Sequence, residues 1–135
     1  MKQVFLAGCV FIKDSKILLL KRIKRGWYEL PGGKIESFES AQDAAVREIK
    51  EELGVHIEII QKLGTKDFID DDYKMSYTWF EARFCEAEEP EIKELQTFEE
   101  LRYILLDDLK KYHLSPNMLN FVKALEEQQI FLSTK

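Results

Sequence analysis

Two β-rich apolar runs open the chain, Val4 to Ile12 and Lys16 to Arg22, with Lys13-Asp14-Ser15 between them. That pattern predicts a hairpin-like pair. Ile17 to Leu20 is an unbroken apolar stretch, as in a strand buried on both faces. Val55 to Leu63 alternates β-branched and polar residues, and Met75 to Cys85 is a second long strand pattern carrying Tyr77, Trp79, Phe80 and Phe84. Asp70-Asp71-Asp72 between them reads as a turn, Glu86 to Glu91 as an acidic linker with Pro90, and Leu101 to Leu106 as a short strand. Helical pieces are expected from near Ser40 to Gly54, around Asp108–Tyr112 and over Pro116–Gln129. The last carries Met118, Leu119, Phe121, Val122 and Leu125 as its packing stripe. Strands and helices mix without strict β-α-β alternation, which predicts an α/β sandwich with a mixed sheet between helices.

Composition narrows the function. At 135 residues and 45% hydrophobic, one domain over 1–135 is expected. A net charge of −5 and a pI near 5.2, with no basic stripe, argue against polymeric nucleic acid as partner; a nucleotide is not excluded. Cys9 and Cys85 lie in apolar runs and are expected as buried free thiols. Leu6-Ala7-Gly8-Cys9 has the look of a lipoprotein cleavage site, but the apolar stretch before it is too short for a signal peptide and reads better as the first strand. With no run long enough to span a membrane, a cytoplasmic protein is expected.

The chemistry concentrates in one acidic helix. Ser40 is a good N-cap with Asp43 three residues on, and Gly54 suits the left-handed residue that ends a helix. At about 100° per residue, Glu48, Glu51 and Glu52 fall within an arc of about 100°. That arc overlaps Ala41, Ala44 and Ala45 and is extended by Ile49 and Leu53, so the acids border the apolar side. Crowding them costs roughly 0.2–0.5 kcal/mol per like-charge pair. Glu51 and Glu52 also face the unfavourable end of the helix dipole. A hard divalent cation reverses that balance. A solvated Glu/Lys face is the ordinary alternative, weakened here because the acids sit beside the alanines. Pro31-Gly32-Gly33, just before the helix, permits close backbone approach, and a carbonyl there can join carboxylates around Mg²⁺.

Gly33, Glu39, Arg47-Glu48-Ile49, Glu51-Glu52 and Gly54-Val55, at their spacing, resemble the Nudix box without departure. At about 10% per fixed position, chance matches are on the order of 10⁻⁷ per window. The resemblance implies a Nudix-type α/β/α sandwich with a mixed β-sheet, and Mg²⁺-dependent hydrolysis (Mn²⁺ being the alternative ion) of a nucleoside diphosphate linked to a group X. It implies Glu51 and Glu52 as metal ligands and Glu48 as ligand or general base. Arg47 would orient a glutamate, Glu39 among the candidates, and a Gly32 or Gly33 carbonyl would complete the inner shell. A glutamate outside the box often contributes; Glu94 is the best positional match, with Glu91, Glu99 and Glu100 competing.

Lys21, Arg22, Lys24, Arg25 and Lys34 flank the glycine loop; Arg22 and Lys34 are the expected phosphate contacts. Trp27, Tyr28, Tyr77, Trp79 and Phe80 are candidates to stack on a base, of which one or two, Trp27 and Tyr77 first, should touch ligand. His56, His113 and Asp70–Asp72 are expected to be structural or exposed. The expected substrate is a small nucleotide, first a nucleoside triphosphate, oxidised ones included, cleaved to monophosphate and pyrophosphate. ADP-ribose or a dinucleoside polyphosphate is the enzymatic rival, and a non-catalytic nucleotide-sensing module is the alternative of another class. Homodimers are common in similar proteins, and the first strand or Met75–Cys85 is the expected interface.

Overall fold

The chain splits its strands between two sheets that share a pair of helices. The computed structural model describes residues 1–135. Its elements are β1 (Lys2–Val10), β2 (Ile12–Lys13), β3 (Lys16–Arg22), β4 (Tyr28–Glu29), β5 (Gly32–Lys34), α1 (Ala41–Leu53), β6 (Ile57–Asp70), β7 (Tyr73–Phe84), β8 (Phe98–Leu105), a 3₁₀ turn (Leu106–Lys111) and α2 (Pro116–Glu126). The first sheet runs β5-β1-β7-β6 and is mixed, with β1 parallel to β7 and its other pairs antiparallel. The second is built on β3, which pairs antiparallel with β2, β4 and β8.

The opening hairpin is therefore smaller than its hydrophobic pattern predicts. Val4 to Ile12 is not one strand. β1 ends at Val10 in the first sheet, and only Ile12-Lys13 turns back on β3, through a two-residue turn with Asp14 at φ 52° and Ser15 at φ 62°. Positive φ at both central residues is the type I′ geometry whose twist matches that of paired strands. The switch of sheets lets β1 and β3 send alternate side chains to opposite sides. Val10, Ile17, Leu19, Tyr77 and Trp79 join Met118 and Phe121 of α2 in one core. Ala7, Cys9, Leu18, Leu20 and Phe80 join Ala44, Ala45, Ile49 and Leu53 of α1 in the other. The result is the expected α/β/α sandwich.

Three other expectations need correction. Leu119 is exposed, because it lies about 100° round α2 from Met118, whereas Phe121, Val122 and Leu125 return to Met118's side. Cys9 is buried, but Cys85, just past the end of β7, is partly exposed. β6 runs on to Asp70, past Leu63, and its pairing with β7 slips between Ile59 and Gln61 and again between Lys62 and Gly64. Each slip inserts an unpaired residue and breaks the two-residue period.

Candidate functional site

Local chemistry seats α1 on the sheet. Ser40 Oγ accepts from the Asp43 N–H at 3.1 Å, and Gly54, at φ 72°, donates its N–H to the Lys50 carbonyl at 3.0 Å. With Ala44, Ala45, Ile49 and Leu53 packed inward, Glu52 goes inward too and is 4% exposed. Its Oε1 accepts from the Gly32 N–H at 2.8 Å. A side chain on Gly33 would place its Cβ 2.5–2.6 Å from the Glu48 carboxylate, so a larger residue there would displace that carboxylate from its present position.

The sheet register separates the two glycine carbonyls. Cys9 donates to Pro31 and Ile35 donates to Phe5, four residues apart on each strand with Ala7 and Gly33 midway. Antiparallel alternation then makes Ala7–Gly33 the hydrogen-bonded pair, committing the Gly33 carbonyl to β1. Gly32 points its backbone groups the other way, as its bond to Glu52 shows, so its carbonyl is the one available on the acidic side.

Arg47 braces the acids. Nε and Nη2 grip the two oxygens of Glu39 at 3.1 and 2.6 Å. Nη2 also donates to the Lys34 carbonyl at 3.0 Å, and Nη1 reaches Glu48 at 3.0 Å and Glu51 at 3.3 Å. These bonds, that to Glu39 foremost, hold the guanidinium pKa well above its ordinary value. Glu39, gripped by Arg47 and by the Glu36 N–H, is held below the usual carboxylate range.

Glu48 and Glu52 behave in the opposite way. Burial raises the Glu48 pKa, with the Glu51 and Glu94 charges adding to it and Arg47 opposing. Burial pushes Glu52 up further, with Gly32 opposing and Glu48, Glu94 and Glu29 adding. Arg47 thus leaves part of the local negative charge uncompensated. In this arrangement no three acidic, histidine or cysteine side chains converge as a ready metal cage. The donor set nonetheless fits a hard divalent cation, being all oxygen: Glu48, Glu51, Glu52, Glu94 and the Gly32 carbonyl.

Among the glutamates outside the box, Glu94 is the one whose charge bears on Glu48, Glu52 and Arg22. Glu91 pairs with Lys93, Glu99 with Lys21, and Glu100 accepts from Tyr28 and pairs with Arg102.

Beside the acids lies a cavity of about 270 Å³, bordered by Arg22, Arg25, Trp27, Glu29, Tyr77 and Asn117 among others. Arg22 is not a free cation there: its Nε and Nη2 fork onto Glu29 at 2.6 and 2.9 Å, and Trp27 Nε1 donates to the same carboxylate at 2.8 Å. Lys34 is exposed and does not line the cavity. Trp27 and Tyr77 do line it, while Tyr28, Trp79 and Phe80 are buried away from it. Asp70, expected at a solvated tip, borders the cavity as well. Glu29 and Asn117 escape sequence reasoning. Glu29 sits in an aromatic strand end and Asn117 follows Pro116, and neither residue type marks a site by itself. Asn117 is instead buried, with its Oδ1 accepting from Trp79 Nε1 at 2.8 Å.

The chain matches the NUDIX domain over residues 4–125. It is 49% identical over 50 residues to a Bacillus subtilis protein named putative 8-oxo-dGTP diphosphatase, covering 37% of this chain and 31% of that one. It is 44% identical over 63 residues to the ADP-ribose pyrophosphatase of Methanocaldococcus jannaschii, covering 44% of this chain and 37% of that one. These matches span less than half the length of the curated relatives. The crystal structure of a MutT NUDIX hydrolase from Burkholderia pseudomallei superposes with a TM-score of 0.82 at 30% identity, over 91% of this chain and 98% of that one. The box, the mixed-sheet sandwich and these likenesses agree: the chain belongs to the Nudix family.

Proposed function

We propose that this protein hydrolyses a nucleoside triphosphate to the monophosphate and pyrophosphate, with a divalent cation, Mg²⁺ first, held by the acids of α1. The observation that carries the triphosphate reading is the size of the cavity beside those acids. About 270 Å³ has room for one nucleoside and lies just below the usual range of ligand sites. ADP-ribose, with a second ribose, asks for more room. The relative named for it keeps that substrate as the second reading. The intact set of Arg47, Glu48, Glu51 and Glu52 favours an enzyme over a binding module.

Glu52, Glu51 and Glu48, with Gly32 and Glu94, would hold the cation. Bound there, it would neutralise phosphate charge and lower the pKa of water. The protein's own part is positional. Arg47 fixes Glu39, Glu48 and Glu51 in a single fork. Trp27 and Tyr77 wall the nucleoside cavity. Glu48, half-buried and reached by one Arg47 nitrogen, would serve either as a cation ligand or as the proton acceptor. The Arg22–Glu29 pair lines the cavity, and Arg22 would meet a phosphate there by exchanging its bond to Glu29.

A hydrolysis screen tests the reading. Nucleoside triphosphates, oxidised forms included, should yield monophosphate and pyrophosphate. ADP-ribose, dinucleoside polyphosphates and nucleotide sugars should be slower. Release of inorganic phosphate from triphosphates, or preference for ADP-ribose, would overturn the triphosphate assignment.

Mg²⁺ alone should also raise Tm. At an ion concentration ten times Kd the stabilisation is about 1.4 kcal/mol, or roughly 3–5 °C for a domain of this size. The pH dependence follows from the raised pKa values of Glu48 and Glu52. Both stay protonated further up the pH scale than ordinary carboxylates, and only the ionised forms bind the cation. The Tm shift should therefore be largest near pH 8 and shrink toward pH 5; a pH-independent shift in a thermal scan would count against these ligands.

A further inference from the structure

The segment between β7 and β8 is fastened to the box helix more firmly than its acidic, proline-containing sequence predicts. Both oxygens of Glu88 are engaged by His56, the residue just after the box: Oε2 by its N–H at 3.0 Å and Oε1 by its Nδ1 at 2.8 Å. Farther along, the Glu91 N–H donates to the Leu53 carbonyl at 3.2 Å and the Lys93 N–H to the Glu52 carbonyl at 2.8 Å. These acceptors lie in the last turn of α1, where carbonyls lack helical partners. The Lys93 stem lies against Gly54, where a Cβ would collide with it, and Ile92 packs on the core beneath α1. Beyond Lys93 the Glu94 carbonyl accepts from the Thr97 and Phe98 N–H groups at 3.0 and 3.1 Å. Glu94 thus stands between two anchored points, and the strap ties it to the backbone of Glu52.

We propose that Glu88 is a positioning residue for Glu94: by clamping His56 it holds the 88–94 strap on the end of α1 and keeps Glu94 next to the last turn, which carries Glu51 and Glu52. The inference rests on the hydrolase reading for its kinetic consequence, and on the strap's hydrogen bonds together with the proposed cation site for its effect on cation binding. Glu88 lies at the start of the strap and outside the acidic cluster, so its loss should loosen the site without removing a donor.

The test uses the full chain and Mn²⁺ alone, followed by electron paramagnetic resonance without substrate. Glu88→Ala should raise the Mn²⁺ Kd by roughly threefold to tenfold, at or below the low end of what supporting residues around metal ligands usually contribute. Glu88→Gln should recover part of the loss, since its amide oxygen still accepts from the His56 N–H. In a Glu94→Gln background, itself weaker in Mn²⁺ binding, Glu88→Ala should add nothing further. Amide exchange should quicken over 88–97 and stay unchanged in α1. At saturating Mg²⁺, kcat should stay within about twofold while the half-saturating Mg²⁺ concentration rises. An unchanged Kd in Glu88→Ala or Glu94→Gln, additive losses in the double variant, or faster exchange throughout the protein would each overturn the proposal. A chain that binds Mn²⁺ as expected but turns over none of the nucleotides would instead sink the hydrolase reading and leave the strap standing.

Discussion

Glu52→Gln is expected to lower kcat by about three orders of magnitude, the scale on which single charge-stabilising groups act in water-excluded sites. The fold should survive, because the glutamine amide oxygen can still accept the Gly32 N–H bond that Glu52 Oε1 accepts at 2.8 Å. The less obvious expectation concerns stability. Glu52 is a carboxylate whose pKa burial and neighbouring acids raise, so the folded state disfavours its charge. For an acid shifted this way, the penalty is fully present above the folded pKa and disappears as pH falls below the unfolded one. At pH 8 without added metal, the neutral variant should therefore melt higher than the parent chain. Millimolar Mg²⁺ should then close or invert the gap, since only the parent retains the ligand. A thermal scan of both proteins with and without Mg²⁺ checks this. Near-parental turnover at saturating Mg²⁺, or a lower melting point without metal, would remove Glu52 from the centre of the site.

Local signals explain what the chain declares and what it hides. α1 is legible because everything that defines it is contiguous. Ser40 starts it, Gly54 stops it, and the alanines and Ile49 mark the face that carries Glu48 and Glu52 toward the sheet. The Arg47–Glu39 contact is legible only through the resemblance to the box, since the eight-residue separation crosses a loop and a helix start. The division of β1 from β2 is not legible, because Val10, Phe11 and Ile12 are equally apolar and only the pairing partner changes. The slips in β6 are hidden for a similar reason: a bulge shifts alternation without changing composition. The cavity is least visible of all. Leu6, Glu29, Tyr77 and Asn117 come from four separate elements, and Asn117 is buried only because Trp79 supplies a donor. The strap at 88–94 combines both cases, with an exposed composition and anchors made by backbone groups that no residue type announces.

Arg47→Ala should cost roughly 10²-fold in kcat/KM, the scale on which groups that orient metal-site residues act, with the opposite sign in stability to Glu52→Gln. The guanidinium satisfies Glu39 through two bonds and reaches Glu48, Glu51 and the Lys34 carbonyl with its remaining donors. Removing it leaves three carboxylates at close quarters with no cation among them. The melting point without metal should fall, most steeply at high pH, where Glu39 and Glu48 are ionised. Arg47→Lys should recover some of the stability and little of the activity. An ammonium supplies charge, but its three donors do not form the planar fork that matches the two oxygens of Glu39 while spanning Glu48 and Glu51. Full activity in the lysine variant would show that charge alone is needed. Together the two substitutions separate contributions that activity loss cannot distinguish. Glu52 is costly to the empty protein and valuable to the loaded one; Arg47 is valuable to both. On the proposed reading, Arg47 makes the acidic cluster tolerable and an exchangeable cation would make it useful.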